Sequence, residues 1–339
     1  MASSSPRILV TGALGFIGSR LVKRLNTMGY ENIVAADILG TSERWRNSVG
    51  MRAGLLDVST LFNMNDVAPP ALPSLLQDHA SLLASGLGKF DLVFHLGACS
   101  DTRETDAGYL FRNNFSFSAL LYEAVRLNNP AVRFVYASSA ATYGDGSQGF
   151  TEGKEYALRP LNAYAWSKHL LDQWMAQRSF AGAAGLKYFN VYGPGEQHKG
   201  PMASMVSRGL QQMREDGEIR LFEGTLDMTR DFVHVDDAVE ATLHFGFEAR
   251  RTNGLFNVGT GRATTWRELA EAVQEAARTV MAIPEPRLTL IPPPESLMRQ
   301  YQTHTVADIA RLRASGFASP MRDIRTGAME TAREWSMHP

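Results

Sequence analysis

Tyr164 and Lys168 stand four residues apart in NAYAWSKHLLDQW, a spacing that puts both side chains on one face of a helix. A phenol near its reference pKa of about 10 is a poor base at neutral pH. An ammonium beside it, and an oxidised nicotinamide ring, would both favour the phenolate and lower that value. The product is a group able to exchange a proton with a substrate hydroxyl while hydride leaves the same carbon. Ser139, in YASSAATYG at the end of an apolar run, supplies a hydroxyl that can orient such a substrate. Taken alone, Y-x-x-x-K is an ordinary surface pair. Its place after a serine-bearing strand and downstream of a glycine-rich turn gives it the catalytic reading.

That turn holds Gly12, Gly15 and Gly18, spaced G-x-x-G-x-x-G between an apolar run and a helix. The first glycine permits a tight turn, the second lets a pyrophosphate approach backbone N–H groups, and the third allows close helix–sheet packing. Asp37 closes the next strand and suits the 2′-hydroxyl of a dinucleotide's ribose, while it would repel a 2′-phosphate. Arg44 and Arg46 follow and can offset that repulsion, or they belong to a solvated loop.

These residues need a scaffold. RILVT (residues 7–11) reads as a buried strand, residues 16–28 as a helix closed by Gly29, and NIVAAD (32–37) as a second strand. Strand, helix, strand over so short a span is the crossover unit of a parallel sheet. The alternation continues with strands at 90–98, 132–138 and 186–191, and with helices at 106–127 and 164–177. It predicts an α/β fold with a doubly wound parallel sheet of the Rossmann type. Residues 1–191 are expected to form the dinucleotide-binding domain, interrupted by an insertion at about 60–88 that carries APPALP and a leucine-rich helix. Residues 192–339, looser and richer in proline, are expected to form mainly a smaller mixed α/β substrate lobe, with some segments returning to the first domain.

Bulk properties exclude other classes. With 34 basic against 35 acidic residues, the chain has no broad footprint for nucleic acid or an acidic membrane. Cys99 is the single cysteine, so no internal disulfide can form, in keeping with a reducing compartment. The MASSSPR start reads as a short disordered tail rather than a secretion signal, and no run approaches the roughly 18–20 apolar residues of a membrane helix. A cytoplasmic protein is expected.

The glycine spacing resembles the extended branch of the short-chain dehydrogenase/reductase superfamily. The segments HLGACSDT, YASSAATYG, LNAYAWSK, KYFNVYGPGEQHKGPMAS, LFEGTLDMTRDFVHVDD, GLFNVGTGRATTW and RQYQTHTVADI narrow the resemblance to the ADP-glyceromanno-heptose 6-epimerase family. It covers the chain from about Arg7 to the last helix.

The resemblance implies inversion of C6″ in an ADP-linked heptose, a precursor of the lipopolysaccharide inner core, with NADP, or else NAD, as cofactor. C6″ carries no acidic proton, so inversion calls for oxidation to a carbonyl and hydride return to the opposite face. The family's pattern makes Lys199, in the HKG segment, the partner of Tyr164 in proton transfer; by sequence alone Lys199 equally reads as a phosphate-binding or exposed loop residue. Superfamily resemblance adds that Lys168 also holds the nicotinamide ribose, and that Asn113 or Asn114 steadies the active-site backbone. Cofactor contacts are implied for Phe16 and Ile17 in the glycine turn, Ile38 and Arg44 beyond Asp37, and Leu96, Gly97, Ala98, Cys99 and Ser100 of HLGACS. Asn113, Val191 and Lys199 complete that set. The substrate wall implied comprises Ser139, Asn190, Pro201 and Arg208, then Phe222, Glu223, Gly224 and Thr225, with Arg230 and Tyr301. A guanidinium at Arg230 suits a diphosphate. No metal is implied, and relatives associate into homo-oligomers.

Four positions depart from the family's pattern. Ile38 stands where asparagine is common, and Ser42 replaces a lysine with Arg44 nearby; both bear on the NADP preference. Pro201 stands for a serine and Arg208 for a histidine, which bears on sugar contacts. Three rival readings are weighed. A 4,6-dehydratase would place acids after the active-site serine, where this chain has Ala140, Ala141 and Thr142. A UDP-hexose 4-epimerase shares the SAxxYG texture but not the HKG lysine. A non-catalytic NADP-binding redox sensor tends to lose the tyrosine or the lysine, and both are present.

Overall fold

The computed structural model of the protein describes residues 5–60, 73–294 and 302–337. The expectations for Tyr301, the first four residues of the tail and residues 61–72 of the insertion fall outside them. The chain divides into two compact units. The first comprises residues 1–144, 152–187 and 241–256; the second comprises 145–151, 188–240 and 257–339.

The first unit is built on β1 (Ile8–Thr11), β2 (Ile33–Asp37), β3 (Gly54–Asp57), β4 (Leu92–His95), β5 (Arg133–Ser139), β6 (Ala183–Tyr188) and β11 (Gly254–Val258). They lie in the order β11-β6-β5-β4-β1-β2-β3 in one seven-stranded parallel sheet. Register runs Ile8 against Ile33 on one side of β1 and against Leu92 on the other. Strands covered on both faces need no polar alternation, which is why β1 and β4 are apolar and buried at nearly every position. Alternate side chains still serve different layers. Leu9, Val93, Phe134 and Tyr136 join a core with residues of α2 (Pro73–Leu87), α4 (Phe117–Asn128) and α5 (Ala163–Gln177). Phe94 points the other way, against Gly246 in α7 (Val235–Phe247), where an added Cβ would lie 2.5 Å from its ring.

Two elements differ from expectation. β3 is a four-residue, half-exposed edge strand, GLLD, too short to stand out in the sequence. The leucine-rich helix expected within the insertion is α2, which lies between β3 and β4 in the chain and places Ala80, Leu83, Ala84 and Leu87 in the core. Asn128 of α4 fastens it by donating to the carbonyls of Ala84 and Gly88. The remaining helix on this face, expected as one piece, is α3 (Ala107–Leu110), a π-helical turn (Phe111–Ser116) and α4.

The second unit is mixed α/β. β7 (Asn190–Tyr192) pairs with β10 (Phe232–His234), β8 (Glu218–Phe222) with β13 (Arg287–Ile291), and β9 (Thr229–Arg230) with β12 (Thr264–Thr265). Its core packs α6 (Met205–Asp216), α8 (Trp266–Thr279) and α10 (Ile324–Met337) through Leu210, Ile219, Val273 and Ala328. A short α9 (Ala310–Ala314) precedes the last helix. Among the described residues no helix is long and apolar enough to cross a membrane.

Candidate active site

In an open parallel sheet, ligands sit beyond the strand carboxyl ends where the strand order reverses, here between β1 and β4. A cavity of about 360 Å³ lies there, lined by Gly12, Asp37, Ile38, Arg44, residues 97–101 and Asn113. Gly12 has φ +66°, and a Cβ on it would lie 2.7 Å from the Gly97 nitrogen; one on Gly18 would lie 2.0 Å from the Gly12 carbonyl oxygen. The turn therefore tolerates neither side chain, and it leaves the amino end of α1 (Phe16–Thr27) open, with no side-chain cap and no acid in its first turn. Asp37 orders this turn: its carboxylate accepts from the N–H groups of Leu14 and Ile38, each at 2.8 Å. Arg44 approaches Asp37 at 3.4 Å beside the cavity. Arg46 pairs instead with Glu43 and stacks on Trp45 at the surface. Of the two arginines read as phosphate partners, Arg44 alone lines this cavity.

The HLGACS segment is held by a hydrogen-bond chain. Ser118 Oγ donates to the Asn114 carbonyl and so accepts from His95 Nε2; His95 Nδ1 then accepts from Thr11 Oγ1, which accepts from the Gly97 N–H. Burial, aided by the Lys168 charge, pulls the His95 pKa down to about 3, so the ring is neutral as this chain requires. Asn114, not Asn113, steadies the backbone: it accepts from the Cys99 N–H at 2.8 Å and donates to the Cys99 carbonyl and to Ser167 Oγ. Ser167 in turn donates to the Tyr164 carbonyl. Asn113 lines the cavity and donates to the Tyr109 carbonyl. Burial also raises the Cys99 thiol above its ordinary value, so it stands as a protonated lining group.

Asn162 caps α5 by accepting from the Ala165 N–H, which sets Tyr164 in the helix's first turn and Lys168 one turn on. Both are buried. Lys168 Nζ donates to the Ala137 carbonyl at 2.9 Å, and burial lowers its pKa to about 8. The expectation of an acidified phenol counts the charge of an oxidised nicotinamide ring, which the protein's own groups do not supply. Burial raises the Tyr164 pKa, and the opposing influence is the Ser139 hydroxyl, not Lys168. The Lys168 ammonium is itself turned to the Ala137 carbonyl. Ser139 ends β5, where its Oγ accepts from the Ala141 N–H at 3.2 Å.

Beneath these groups lies a pair that the sequence reading passed over. Lys187 and Asp172 are fully buried and 2.7 Å apart. Lys187 also donates to Thr142 Oγ1, and Asp172 accepts from Tyr136 and Ser138. It ties β5, β6 and α5 together directly behind Ser139 and Lys168. Asp172 follows Lys168 by one helical turn, the one signal that could have flagged it.

The second unit carries the other expected residues. Lys199 lies on a 3-10 turn (Gln197–Met202) together with Pro201, and its ammonium pairs with Glu196 at 3.0 Å. Arg208 is an exposed position of α6. Phe222 to Thr225 form a tight turn in which Thr225 donates to the Phe222 carbonyl and Gly224 has φ +73°. Asn190 donates to the Asp231 carbonyl, and Val191 follows it in β7. Arg230 is buried, over the Trp266 ring. The neighbouring Asp231 carboxylate accepts from Thr260, Gly261 and Ala307, which leaves it to a loop rather than to Arg230.

Residues 8–259 match the family described as NAD dependent epimerase/dehydratase. The chain is similar to an ADP-L-glycero-D-manno-heptose-6-epimerase from Nitratidesulfovibrio vulgaris, 39% identical with 96% of this chain and 97% of the relative covered. One of the same description from Brachyspira hyodysenteriae is 34% identical, with 96% of each covered. Among solved structures, the Helicobacter pylori ADP-L-glycero-D-manno-heptose-6-epimerase superposes with a TM-score of 0.77 at 26% identity, over 97% of this chain and 96% of that one. With this coverage at both the sequence and the structural level, the chain belongs to the NAD dependent epimerase/dehydratase family.

Proposed function

We propose that the protein is an epimerase that inverts C6″ of an ADP-linked heptose, using a bound NADP. The observation that carries the reading is the group of Ser139 with the buried Tyr164 and Lys168 beside the glycine-turn cavity, supported by the heptose epimerase to which 96% of the chain aligns. The cavity's side-chain-free glycine cradle and uncapped helix end fit a dinucleotide pyrophosphate. When bound, that cofactor would take the hydride from C6″ and return it.

The residues would divide the remaining work. Ser139 would hold the C6″ oxygen against Tyr164. Tyr164 would take the hydroxyl proton during oxidation and give it back in the same orientation. Lys168 would grip the nicotinamide ribose, its ammonium favouring the phenolate once charge forms at Tyr164. Lys199 would serve as the second acid/base, for the carbonyl presented by its other face. The second unit would bind the sugar nucleotide, with Arg230 on the diphosphate, and the enzyme would work in the cytoplasm as a homo-oligomer. Incubating purified protein with each ADP-heptose epimer and following C6″ by NMR tests the reading; no interconversion from either side would refute it.

The NADP assignment predicts stoichiometric NADP(H) in protein purified from cells, measured by mass spectrometry of the denatured supernatant. Arg44 supports it by offering a cation beside Asp37. Stoichiometric NAD would mean that Asp37 prevails. Lys168→Met is expected to lose cofactor retention and activity together, because one ammonium serves the ribose and the phenol. Loss of activity with cofactor fully retained would remove the ribose role.

A further inference from the structure

Glu196 is fully buried, and its carboxylate is surrounded by donors. Oε1 accepts from Ser204 Oγ at 2.6 Å, Ser207 Oγ at 2.9 Å and the Gly193 N–H at 3.2 Å. Oε2 accepts from the Ser204 N–H at 2.7 Å and from Lys199 Nζ at 3.0 Å. Ser204 is the N-cap of α6, so the carboxylate also lies at the favourable end of that helix's dipole. The hydroxyl and backbone donors sit on the residue 193–196 turn and on α6. They fix the carboxylate, and the carboxylate in turn fixes the end of a flexible four-carbon chain. The Lys199 N–H closes on the Glu196 carbonyl at 2.8 Å, so both ends of the lysine are referred to one residue.

A buried carboxylate at the head of a helix has a plain structural role, capping a turn. The arrangement here does more than that role requires. A neutral amide has one acceptor oxygen: turned to the Ser204 N–H and Lys199 it sets its NH₂ against the Gly193 N–H, and turned the other way it sets its NH₂ against the Ser204 N–H and Lys199. Only a carboxylate accepts from all five donors, and an amide in either orientation loses the charge that holds the Lys199 ammonium.

We infer that Glu196 is a positioning residue for epimerisation, holding the Lys199 ammonium in the place from which it exchanges a proton with the substrate. The inference rests on Lys199 being the second acid/base, as proposed above. It adds a dependence that none of the residues named for the reaction implies: catalysis at one face of the substrate passes through a residue that does not touch it. A long lysine side chain that loses this ion pair samples more rotamers, and misplacing a catalytic group by about 1 Å can cost about 10²-fold.

Steady-state kinetics of Glu196→Gln on ADP-heptose test this. The expected result is a kcat lower by about 10²-fold, with KM and cofactor content near those of the unsubstituted enzyme and a lowered thermal midpoint, because one buried backbone N–H loses its acceptor. Lys199→Met should abolish most activity, and adding Glu196→Gln to it should cost nothing further, because both changes remove one function. Glu196→Asp keeps an anion among the same donors and should recover part of kcat. A Glu196→Gln enzyme with undiminished kcat overturns the inference. So does an equal fall in kcat when Glu196→Gln is placed in the Lys199→Met background, since Glu196 then acts on the fold alone. If Lys199→Met itself retains near-normal rate, the second-base reading falls and takes this one with it. An inactive Lys199→Met beside a fully active Glu196→Gln sinks only the role of Glu196. Should the glutamine variant not fold, the aspartate variant decides: a lowered kcat at unchanged KM supports the inference, and full kcat defeats it.

Discussion

Lys187→Met is expected to destabilise the first unit by about 3–5 kcal/mol, because it strands a carboxylate in the interior. Asp172 has no exposed surface, and its remaining donors would be the Tyr136 and Ser138 hydroxyls. Two neutral hydroxyls do not replace an ammonium at 2.7 Å. Methionine fills most of the lysine's volume, so the loss reports charge rather than a cavity. The companion change Asp172→Asn should also destabilise, by leaving Lys187 buried and unpaired. Combining the two removes both charges, and the double variant should be more stable than the sum of the singles predicts. Urea titration followed by circular dichroism measures all three. A Lys187→Met protein unfolding at the unsubstituted midpoint would show that the pair contributes nothing. Activity should fall with stability here, since β5 and α5, which this pair ties together, carry Ser139, Tyr164 and Lys168.

What the sequence disclosed and what it hid divide along physical lines. The glycine turn and the strand–helix alternation were legible because local sterics and burial demand those residue types where they occur. β3 was hidden because an edge strand of four residues buries little and need not be apolar. α2 reads in the sequence as the helix of an insertion, because the proline-rich APPALP before it interrupts the pattern of alternation. The choice between Asn113 and Asn114 depends on helical phase, and the π-turn at Phe111–Ser116 sets that phase in a way no periodicity reveals. The surroundings of Tyr164 are hidden for a different reason. Helical spacing brings Lys168 to the same face, but it cannot show that the ammonium turns to the Ala137 carbonyl or how deeply the phenol is buried. Glu196 lay in plain view three residues before Lys199, yet its significance comes from the chain returning at Ser204 and Ser207.

Tyr164→Phe and Lys199→Met should each block interconversion of the heptose epimers, by at least the roughly 10²–10⁴-fold that positioned general acid–base groups provide. That is a barrier increase of about 3–5 kcal/mol. The reasoning is symmetry. An epimerase must present both faces of the same carbonyl for reduction, and the oxygen to be protonated lies in a different place each time. If Tyr164 serves one orientation and Lys199 the other, removing either leaves half of the cycle intact. An analogue with an aldehyde in place of C6″ separates the halves, because its dismutation oxidises the hydrate of one molecule and reduces another without any inversion. Each single variant should still dismute the analogue through its surviving group, while the double variant should not. The raised Tyr164 pKa sharpens the contrast. A phenol that holds its proton is a ready acid for reduction and a poor base for oxidation until charge develops beside it, so Lys199→Met, which depends on Tyr164 alone, should gain in dismutation rate with rising pH. A Tyr164→Phe enzyme that interconverts the epimers at near-normal rate would exclude the phenol from the chemistry. A Lys199→Met enzyme that does so would reduce the mechanism to Tyr164 serving both faces of a rotating intermediate.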